Sequence, residues 1–166
     1  GKQIIPTLEM VAKIKAAVDA RIDPDLVIMA RTDALAVSGI DEAIERGNRY
    51  AEAGADLIFV EAPTSKEEMA RVNREIRAPT TAIQIEGGKT PLLTVKELEE
   101  LGYNVVVYPN ATVYATAWTL WHLWTILQKH GSTKDWIDRM IPFHEFNKLV
   151  GLDEIRAKET YYYKEV

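Results

Sequence analysis

Polar side chains that could bind a small acid follow three short apolar segments of the chain. Arg31 and Asp33 follow Leu-Val-Ile-Met-Ala, Glu61 follows Leu-Ile-Phe-Val, and Asn110 follows Val-Val-Val-Tyr-Pro. A guanidinium group beside hydroxyl and amide groups can bind a carboxylate, because its planar fork matches the two carboxylate oxygens. A glutamate could orient a substrate hydroxyl or accept a proton. Two simpler interpretations remain open, in which Arg31 pairs with Asp33 in a loop or with Glu61 in a buried ion pair.

A pair of glycines, Gly87 and Gly88, lies in the segment Glu-Gly-Gly-Lys-Thr-Pro. A phosphate-binding loop needs a further glycine five residues before the Gly-Lys pair, and Ile83 occupies that position. We therefore reject a phosphate loop and expect the glycines to allow a tight backbone turn beside a pocket. The histidines lack the spacing to carboxylates that metal ligands show, so the sequence by itself indicates no metal site.

Four apolar segments that do not alternate with polar residues predict strands buried on both faces. They span residues 26–33, 56–61, 80–85 and 105–108. Helical segments alternate with these strands, which is typical of a parallel sheet in an α/β fold. The polar groups at the carboxyl ends of the strands would then share one rim, where such folds place their chemistry.

Helices are predicted from apolar spacing and from capping residues. After an extended lead-in, Thr7 is expected to cap a helix over residues 8–20 and Asp41 a helix over residues 42–53. The segment before Asp41, through Ser38-Gly39, is expected to be a loop. Ser65 with Glu68, and Thr94 with Glu97, have the spacing of capping boxes, which predicts a helix after each pair.

A long helix is predicted over residues 112–129, with two adjacent apolar stripes rich in tryptophan and tyrosine. One stripe would suffice to cover a sheet. The second stripe is covered either by carboxyl-terminal helices of the same chain or by another subunit, and the large aromatic residues favour a subunit contact. Further helices are predicted over residues 133–140, 143–149 and 152–161.

Composition narrows the class of protein. The 166 residues are expected to form a single domain. A net charge of −5, with acids and bases interspersed, argues against binding to nucleic acid or to an anionic membrane. The absence of cysteine excludes disulfides and thiolate chemistry within this sequence. No apolar run has the length of a membrane span, so a cytoplasmic protein is the default expectation.

Five segments, in order along the chain, together resemble one protein superfamily. They are Ile-Met-Ala-Arg-Thr-Asp-Ala (28–34), Phe-Val-Glu-Ala (59–62), Glu-Gly-Gly-Lys-Thr-Pro (86–91), Tyr-Pro (108–109) and Glu-Phe-Asn-Lys-Leu-Val-Gly-Leu (145–152). The chain resembles the isocitrate lyase and phosphoenolpyruvate mutase superfamily over essentially its whole length. The third segment and Tyr114 are most similar to the branch of carboxyvinyl-carboxyphosphonate phosphorylmutase, dimethylmalate lyase and oxaloacetate hydrolase, and methylisocitrate lyase is a close neighbour.

The resemblance implies a (β/α)8 TIM barrel with Mg²⁺ at its carboxyl-terminal rim. Its members break or form carbon–carbon or phosphorus–carbon bonds beside a carboxylate, through an enolate held on the metal. By this resemblance Arg31 would bind a substrate carboxylate, and the catalytic Glu61 would hold or polarise the far part of the substrate. Gly87, Gly88 and Asn110 are the further candidates for substrate binding on the same rim.

This chain departs from the family pattern in two ways. Its four predicted strands correspond to the last four of eight, so residues 1–130 would form the carboxyl-terminal half-barrel and residues 131–166 a helical extension. The family's metal ligands and gating loop would lie on the missing strands, whereas its carboxyl-terminal helices are exchanged between subunits. The family also places an asparagine where this chain has Ile83. Gln84, one position along, would point to the opposite face of a regular strand.

Three functional hypotheses follow. The first is the carboxyl-terminal half of a Mg²⁺-dependent lyase acting on small 2-oxo or 2-hydroxy dicarboxylic acids. Its barrel would be completed by a missing segment, another chain or a twin copy, and the isolated chain would have little activity. The second is a non-catalytic binding or assembly module for a small carboxylate. The third, a complete doubly wound α/β domain that binds a small anion, is disfavoured by the helix-first order and by the resemblance.

Overall fold

The computed structural model describes residues 1–164 and contains short parallel strands between helices. In chain order the elements are α1 Thr7–Ala20, β1 Met29–Thr32, α2 Ala34–Ser38, α3 Ile40–Glu52, β2 Leu57–Val60, α4 Lys66–Glu75, β3 Thr81–Ile83, α5 Val95–Glu100, β4 Val105–Val107, α6 Ala111–His130, a 3-10 helix Lys134–Arg139, α7 Phe143–Leu149 and α8 Leu152–Tyr163. The chain divides into two compact units, residues 1–113 and residues 114–166. Among the helices of residues 1–164, none combines the length and hydropathy that crossing a bilayer requires.

The strands of the first unit run parallel, which confirms the predicted α/β class. β1 pairs with β2, with Arg31 opposite Phe59, and β3 pairs with β4, with Ile83 opposite Val107. The two ladders are joined by one parallel bridge between Ile58 and Thr80. Each strand therefore neighbours the next one along the chain, and their carboxyl ends point the same way.

The two faces of this sheet differ in burial. Side chains on one face pack under the helices, and Ala30, Ile58 and Ala82 are all less than 5% exposed. On the opposite face of β1 and β4, Met29 is 49% exposed and Val107 38% exposed. The prediction that all strands are buried on both faces is therefore wrong for β1 and β4, because no second layer covers this face within the described residues. It is correct for β2, whose four residues are buried.

Close packing of α3 on the sheet depends on a glycine. Gly47 lies in the middle of α3, and a Cβ atom there would come within 2.7 Å of Ile76 Cδ1 and 3.2 Å of Ile58 Cγ2. Ala43 and Tyr50 pack into the same buried cluster. The missing side chain lets the helix backbone approach the strand layer closely, which holds β2 firmly against α3.

Several predicted helix starts are wrong by a residue or more. Thr7 lies inside α1, whose N-cap is Pro6. Residues 34–38 form α2 rather than a loop, and the Ala34 N–H donates to Thr32 Oγ1 at 3.2 Å. α3 then begins directly from Gly39, whose φ of +90° makes the sharp turn between the two helices. Asp41 consequently lies in the first turn of α3 and pairs with Arg71 instead of capping.

The predicted capping boxes form to different extents. At α5 the box is complete, because the Glu97 N–H donates to Thr94 Oγ1 and the Thr94 N–H donates to the Glu97 carboxylate. At α4 the Glu68 N–H donates to Ser65 Oγ, but the Glu68 carboxylate accepts from Thr64 instead. Both helices nevertheless begin within one residue of the predicted position.

The second unit consists of helices. The segment predicted as a helix over residues 133–140 is a 3-10 helix, and its Trp136 is only 3% exposed. Trp136 contacts Trp118 and His122 with ring centroids 6.3 and 6.2 Å apart, and the Arg139 guanidinium lies 4.7 Å from its centroid. No residue of α6 is buried, and Trp121 is 75% exposed.

Candidate functional site

Two cations and two carboxylates meet at the carboxyl ends of β1 and β2. Arg31 donates to Asp33 through Nε at 2.8 Å and Nη2 at 3.0 Å, and its Nη2 lies 3.3 Å from Glu61 Oε2. Lys2 pairs with Asp33 and lies 3.4 Å from Glu61 Oε1. Arg31 therefore pairs with Asp33, as one of the simpler interpretations states. It also approaches Glu61, but this pair is not buried, because the Arg31 side chain is 48% exposed. We call these four residues the rim cluster.

The sheet geometry explains how distant residues reach the rim cluster. In the β1–β2 register Arg31 lies opposite Phe59, and its guanidinium lies 5.1 Å from the Phe59 ring centroid. The Glu61 N–H donates to the Thr32 carbonyl at 2.9 Å, so pairing continues one residue beyond the strand. Alternate residues of a strand share a face. Arg31, Asp33, Phe59 and Glu61 therefore lie on the face of the sheet that the helices do not cover.

Ion pairing perturbs the protonation of the rim cluster. The hydrogen bonds from Arg31, followed by that from Lys2, outweigh burial and lower the pKa of Asp33 to about 2. The pKa of each of the two cations is raised, with the hydrogen bond to Asp33 as the largest cause. The Asp33 carboxylate is consequently ionised at neutral pH and acts as a hydrogen-bond acceptor there.

A cavity of about 620 Å³ opens beside the rim cluster, between the end of β2 and the loop after β3. Its apolar wall includes Val37, Phe59, Ile83 and Ile85. Its charged lining residues are Lys2, Glu61 and Lys89. An apolar concave site with few polar groups is the usual form of a small-molecule site.

The glycine pair forms the turn at the edge of this cavity. Gly87 has a φ of +75°, and the Gly88 N–H donates to the Ile85 carbonyl at 2.9 Å. Gly88 lines the cavity, whereas Gly87 lies outside the lining. A tight turn beside a pocket is thus observed, although no ligand contact follows from it.

Ile83 and Gln84 point to opposite faces of β3. Ile83 lines the cavity, while Gln84 is fully buried and its Oε1 accepts from the Leu93 N–H at 2.7 Å. Gln84 therefore cannot supply the amide that the family pattern places at position 83. Buried polar atoms without a hydrogen-bond partner among residues 1–164 also occur here, on Gln84 Nε2 and on Glu86 Oε2.

The residue after Glu61 has an unfavourable backbone conformation. Ala62 has a φ of +55°, the one positive φ of a non-glycine residue within residues 1–164. Such a conformation costs about 1–3 kcal/mol and persists where the surrounding structure enforces it. Pro63 follows, and Glu61, Ala62 and Pro63 all line the cavity. The strained turn carries the chain away from the rim directly after the candidate catalytic residue.

The predicted site residues are only partly brought together. Glu61 and Gly88 line the cavity. Arg31 contacts Glu61 but is not part of the cavity lining. Asn110 lies between β4 and α6 and is also outside the lining. Sequence reasoning missed Lys2, because its polar partners lie 31 and 59 residues away and no local pattern marks it.

The donors present do not fit a magnesium site on their own. Among residues 1–164, no group of three or more His, Asp or Glu side chains is arranged to hold a metal ion. The Asp33 and Glu61 carboxylates face two cations, which neutralise the charge that would attract Mg²⁺. Any Mg²⁺ at this rim would need further ligands.

Residues 1–123 match the family described as phosphoenolpyruvate phosphomutase. The chain belongs to this family. It is 52% identical over 162 residues to 2,3-dimethylmalate lyase of Eubacterium barkeri, covering 98% of this chain and 56% of that protein. It is 40% identical over 160 residues to 2-methylisocitrate lyase of Aeropyrum pernix, covering 96% and 51%. The chain thus spans about half the length of the curated relatives it matches.

Solved structures agree with this assignment. A crystal structure of 2,3-dimethylmalate lyase, described as a PEP mutase/isocitrate lyase superfamily member, has a TM-score of 0.85 at 29% identity, covering 98% of this chain and 57% of that chain. Phosphonopyruvate hydrolase in complex with oxalate and Mg²⁺ has a TM-score of 0.81 at 27% identity, covering 96% and 57%. The predicted superfamily is confirmed, and these homologues are lyases, mutases and hydrolases of small acids.

Proposed function

We propose that this chain is the carboxyl-terminal half of a Mg²⁺-dependent lyase or mutase for small 2-oxo or 2-hydroxy dicarboxylic acids. The reaction would break or form a carbon–carbon or phosphorus–carbon bond through an enolate. The observation that carries the proposal is Glu61, which lines the 620 Å³ cavity at the carboxyl end of a parallel strand and lies 3.3 Å from Arg31. Family membership supplies the reaction class.

In this proposal the side chains of the rim bind and orient the substrate. Glu61 orients a substrate hydroxyl or accepts its proton, since one of its carboxylate oxygens can turn from Lys2 to the cavity. Arg31 binds a substrate carboxylate through Nη1, the guanidinium nitrogen that Asp33 and Glu61 leave without a partner among the described residues. Gly88 permits close approach, with Gly87 shaping its turn, and Asn110 contributes from the end of β4.

The exposed face of the sheet supports the half-barrel part of the proposal. Met29, Val105 and Val107 present apolar side chains without a covering layer, and β1 and β4 each have an unpaired edge within the described residues. Such edges and faces pair readily with other chains. A second segment or a second copy would cover this face, and the segment that completes the barrel would bring the Mg²⁺ ligands. The bound metal would stabilise developing negative charge on the substrate.

The proposal is tested by complementation. The chain is mixed with the segment of the Eubacterium barkeri lyase that it does not match, and cleavage of 2,3-dimethylmalate is followed with and without Mg²⁺. We expect turnover only in the mixture with Mg²⁺, and at least a 100-fold loss with Glu61→Gln. Glu67→Gln, an exposed carboxylate change on α4, is the matched control and should leave the rate unchanged. Enzyme-like turnover by the chain alone would contradict the half-barrel proposal.

A non-catalytic module that binds a small carboxylate is the second candidate. Two observations favour this candidate. The cations and carboxylates of the rim cluster neutralise one another, and Ile83 on the cavity wall is apolar. Calorimetry with oxalate distinguishes the two candidates in the same mixture. Binding that Mg²⁺ strengthens supports the lyase, whereas binding that Mg²⁺ does not change, without turnover, supports the module.

A further inference from the structure

The loop between β3 and α5 forms one side of the cavity, and a single side chain joins its two ends. Gln84 directly follows β3, and its Oε1 accepts the Leu93 N–H at 2.7 Å. Between these two residues, Gly88, Lys89 and Thr90 line the cavity. The hydrogen bond therefore closes the β3–α5 loop at its base and fixes where its cavity-lining residues begin and end.

The Gln84 side chain contacts the loop and not the cavity. It is fully buried and points to the face of β3 opposite Ile83, which lines the cavity. Its Nε2 has no hydrogen-bond partner among residues 1–164, so the bond from Leu93 is the one hydrogen bond of this amide group there. A hydrogen bond shielded from water is stronger than an exposed one. The buried amide can therefore restrain the loop without touching a ligand.

The cationic groups around the cavity stand on two sides. Arg31 and Lys2 belong to the rim cluster at the ends of β1 and β2, and Gly1 directly precedes Lys2. Lys89 lines the cavity from the β3–α5 loop and is exposed. A diacid whose first carboxylate is bound at Arg31, as proposed above, can extend past Glu61 and present its second carboxylate to the loop.

We infer that Gln84 is a positioning residue for the second carboxylate of a dicarboxylic acid. By holding Leu93, it places the loop so that the Lys89 ammonium and the Thr90 hydroxyl bind that carboxylate. Both groups are hydrogen-bond donors, and the ammonium adds charge. A loop that must first be ordered binds more weakly, because the ordering costs entropy. This inference rests on the proposed small-acid site and specifies how its second carboxylate is held.

The first test compares two acids that differ in one group. The second carboxylate of malate is replaced by a methyl group in 2-hydroxybutanoate. Dissociation constants are measured for the whole chain by nuclear magnetic resonance titration, which detects weak binding. We expect malate to bind about tenfold more tightly, and Lys89→Gln to reduce this preference about fivefold. Lys96→Gln, an exposed change on α5, is the control and should leave the preference unchanged. Equal binding of the two acids to the unmodified chain would overturn the inference.

The second test removes the acceptor on Gln84. Gln84→Met keeps the length of the side chain without its oxygen, so it should reduce the preference for malate about threefold and speed hydrogen exchange of the Leu93 amide about tenfold. Gln84→Glu keeps an oxygen that can accept and should preserve both values. Asn48→Leu is the matched control, because it removes the bond from the Arg77 N–H to Asn48 Oδ1 at 3.0 Å, before β3 begins. It should leave the preference unchanged even where it lowers stability.

The outcomes separate this inference from the proposed function. Thermal unfolding establishes that each variant folds, and Gln84→Leu replaces Gln84→Met if the latter does not fold. If neither acid binds the unmodified chain, the small-acid site is wrong and the inference falls with it. If malate is preferred but Lys89→Gln has no effect, the site stands and the second carboxylate is bound elsewhere. If Gln84→Met leaves the preference unchanged, packing of Leu93 in the cluster around Leu98 holds the loop, and Gln84 does not position it.

Discussion

Asp33 contributes to stability at the residue scale through its two cationic partners. Its pKa is lowered to about 2 from an unperturbed 3.8, so its stabilising effect is complete above about pH 4 and is lost as pH falls towards 2. A pKa shift of this size corresponds to roughly 2 kcal/mol of stabilisation. Because Lys2 and Arg31 are partly exposed, solvent screening reduces this stabilisation to about 1 kcal/mol.

We therefore expect Asp33→Asn to lower the free energy of unfolding by about 1 kcal/mol at pH 7 and by nearly nothing at pH 2. Urea denaturation at a series of pH values measures this difference. Asp19→Asn, an exposed change on α1, is the control and should have no effect at either pH. A difference for Asp33→Asn that stays constant from pH 7 to pH 2 would show that the ion pairs do not stabilise the fold.

The residues of the site illustrate how far sequence reasoning reaches at this scale. Arg31 and Glu61 could be predicted, because each directly follows an apolar segment and parallel pairing brings such positions together. Lys2 could not, since the path of residues 1–6 is set by long-range contacts. One such contact is the hydrogen bond from the largely buried Arg46 to the Ile5 carbonyl at 2.8 Å.

At the scale of elements, the capping box of α5 gives the most direct prediction. The Thr94 hydroxyl accepts the Glu97 N–H at 3.2 Å and the helix has only six residues, so its first turn depends on this contact. We expect Thr94→Ala to lower the free energy of unfolding by about 1 kcal/mol, as measured by urea denaturation.

A matched threonine provides the control for this prediction. Thr125 lies within α6, where its hydroxyl donates to the Trp121 carbonyl at 2.8 Å and caps no free N–H group. Thr125→Ala should change the free energy of unfolding by less than about 0.5 kcal/mol. Equal losses of unfolding free energy for Thr94→Ala and Thr125→Ala would mean that the Thr94 hydroxyl stabilises the protein by packing and not by capping α5.

Element types were predictable where several local signals agreed. The strands and the helices after Ser65 and Thr94 combine apolar patterning with a cap or a stop residue. α2 was missed because five residues are too few to show helical periodicity, and its start depends on a hydroxyl of the preceding strand. Asp41 was wrongly predicted as the N-cap of α3, because Gly39, whose φ is positive, occupies that position.

At the scale of the whole molecule, the uncovered apolar face of the first unit predicts association. We expect the chain to form dimers or larger species at micromolar concentration, and Val107→Lys to weaken this association at least tenfold by placing a charge on the face. Sedimentation velocity over a range of concentrations measures the effect. Val95→Lys, an exposed apolar position on α5, is the control and should not change it.

The α6 surface offers a specific alternative for this contact. Trp121 and Trp124 are 75% and 60% exposed, so association that survives Val107→Lys but is lost with Trp121→Lys would assign the contact to α6. A chain that remains monomeric at 100 µM would contradict both assignments.

From the sequence, the parallel sheet was predictable because helical segments alternate with short apolar segments, and the aromatic helix was predictable because its apolar residues recur at helical spacing. The division at residues 113 and 114 was not, because it depends on which residues meet in space.

Ile58 and Thr80 form an isolated bridge, whereas β1 with β2 and β3 with β4 form continuous ladders. The junction between β2 and β3 is therefore the least connected part of the sheet, and it adjoins the cavity that Phe59 and Ile83 line.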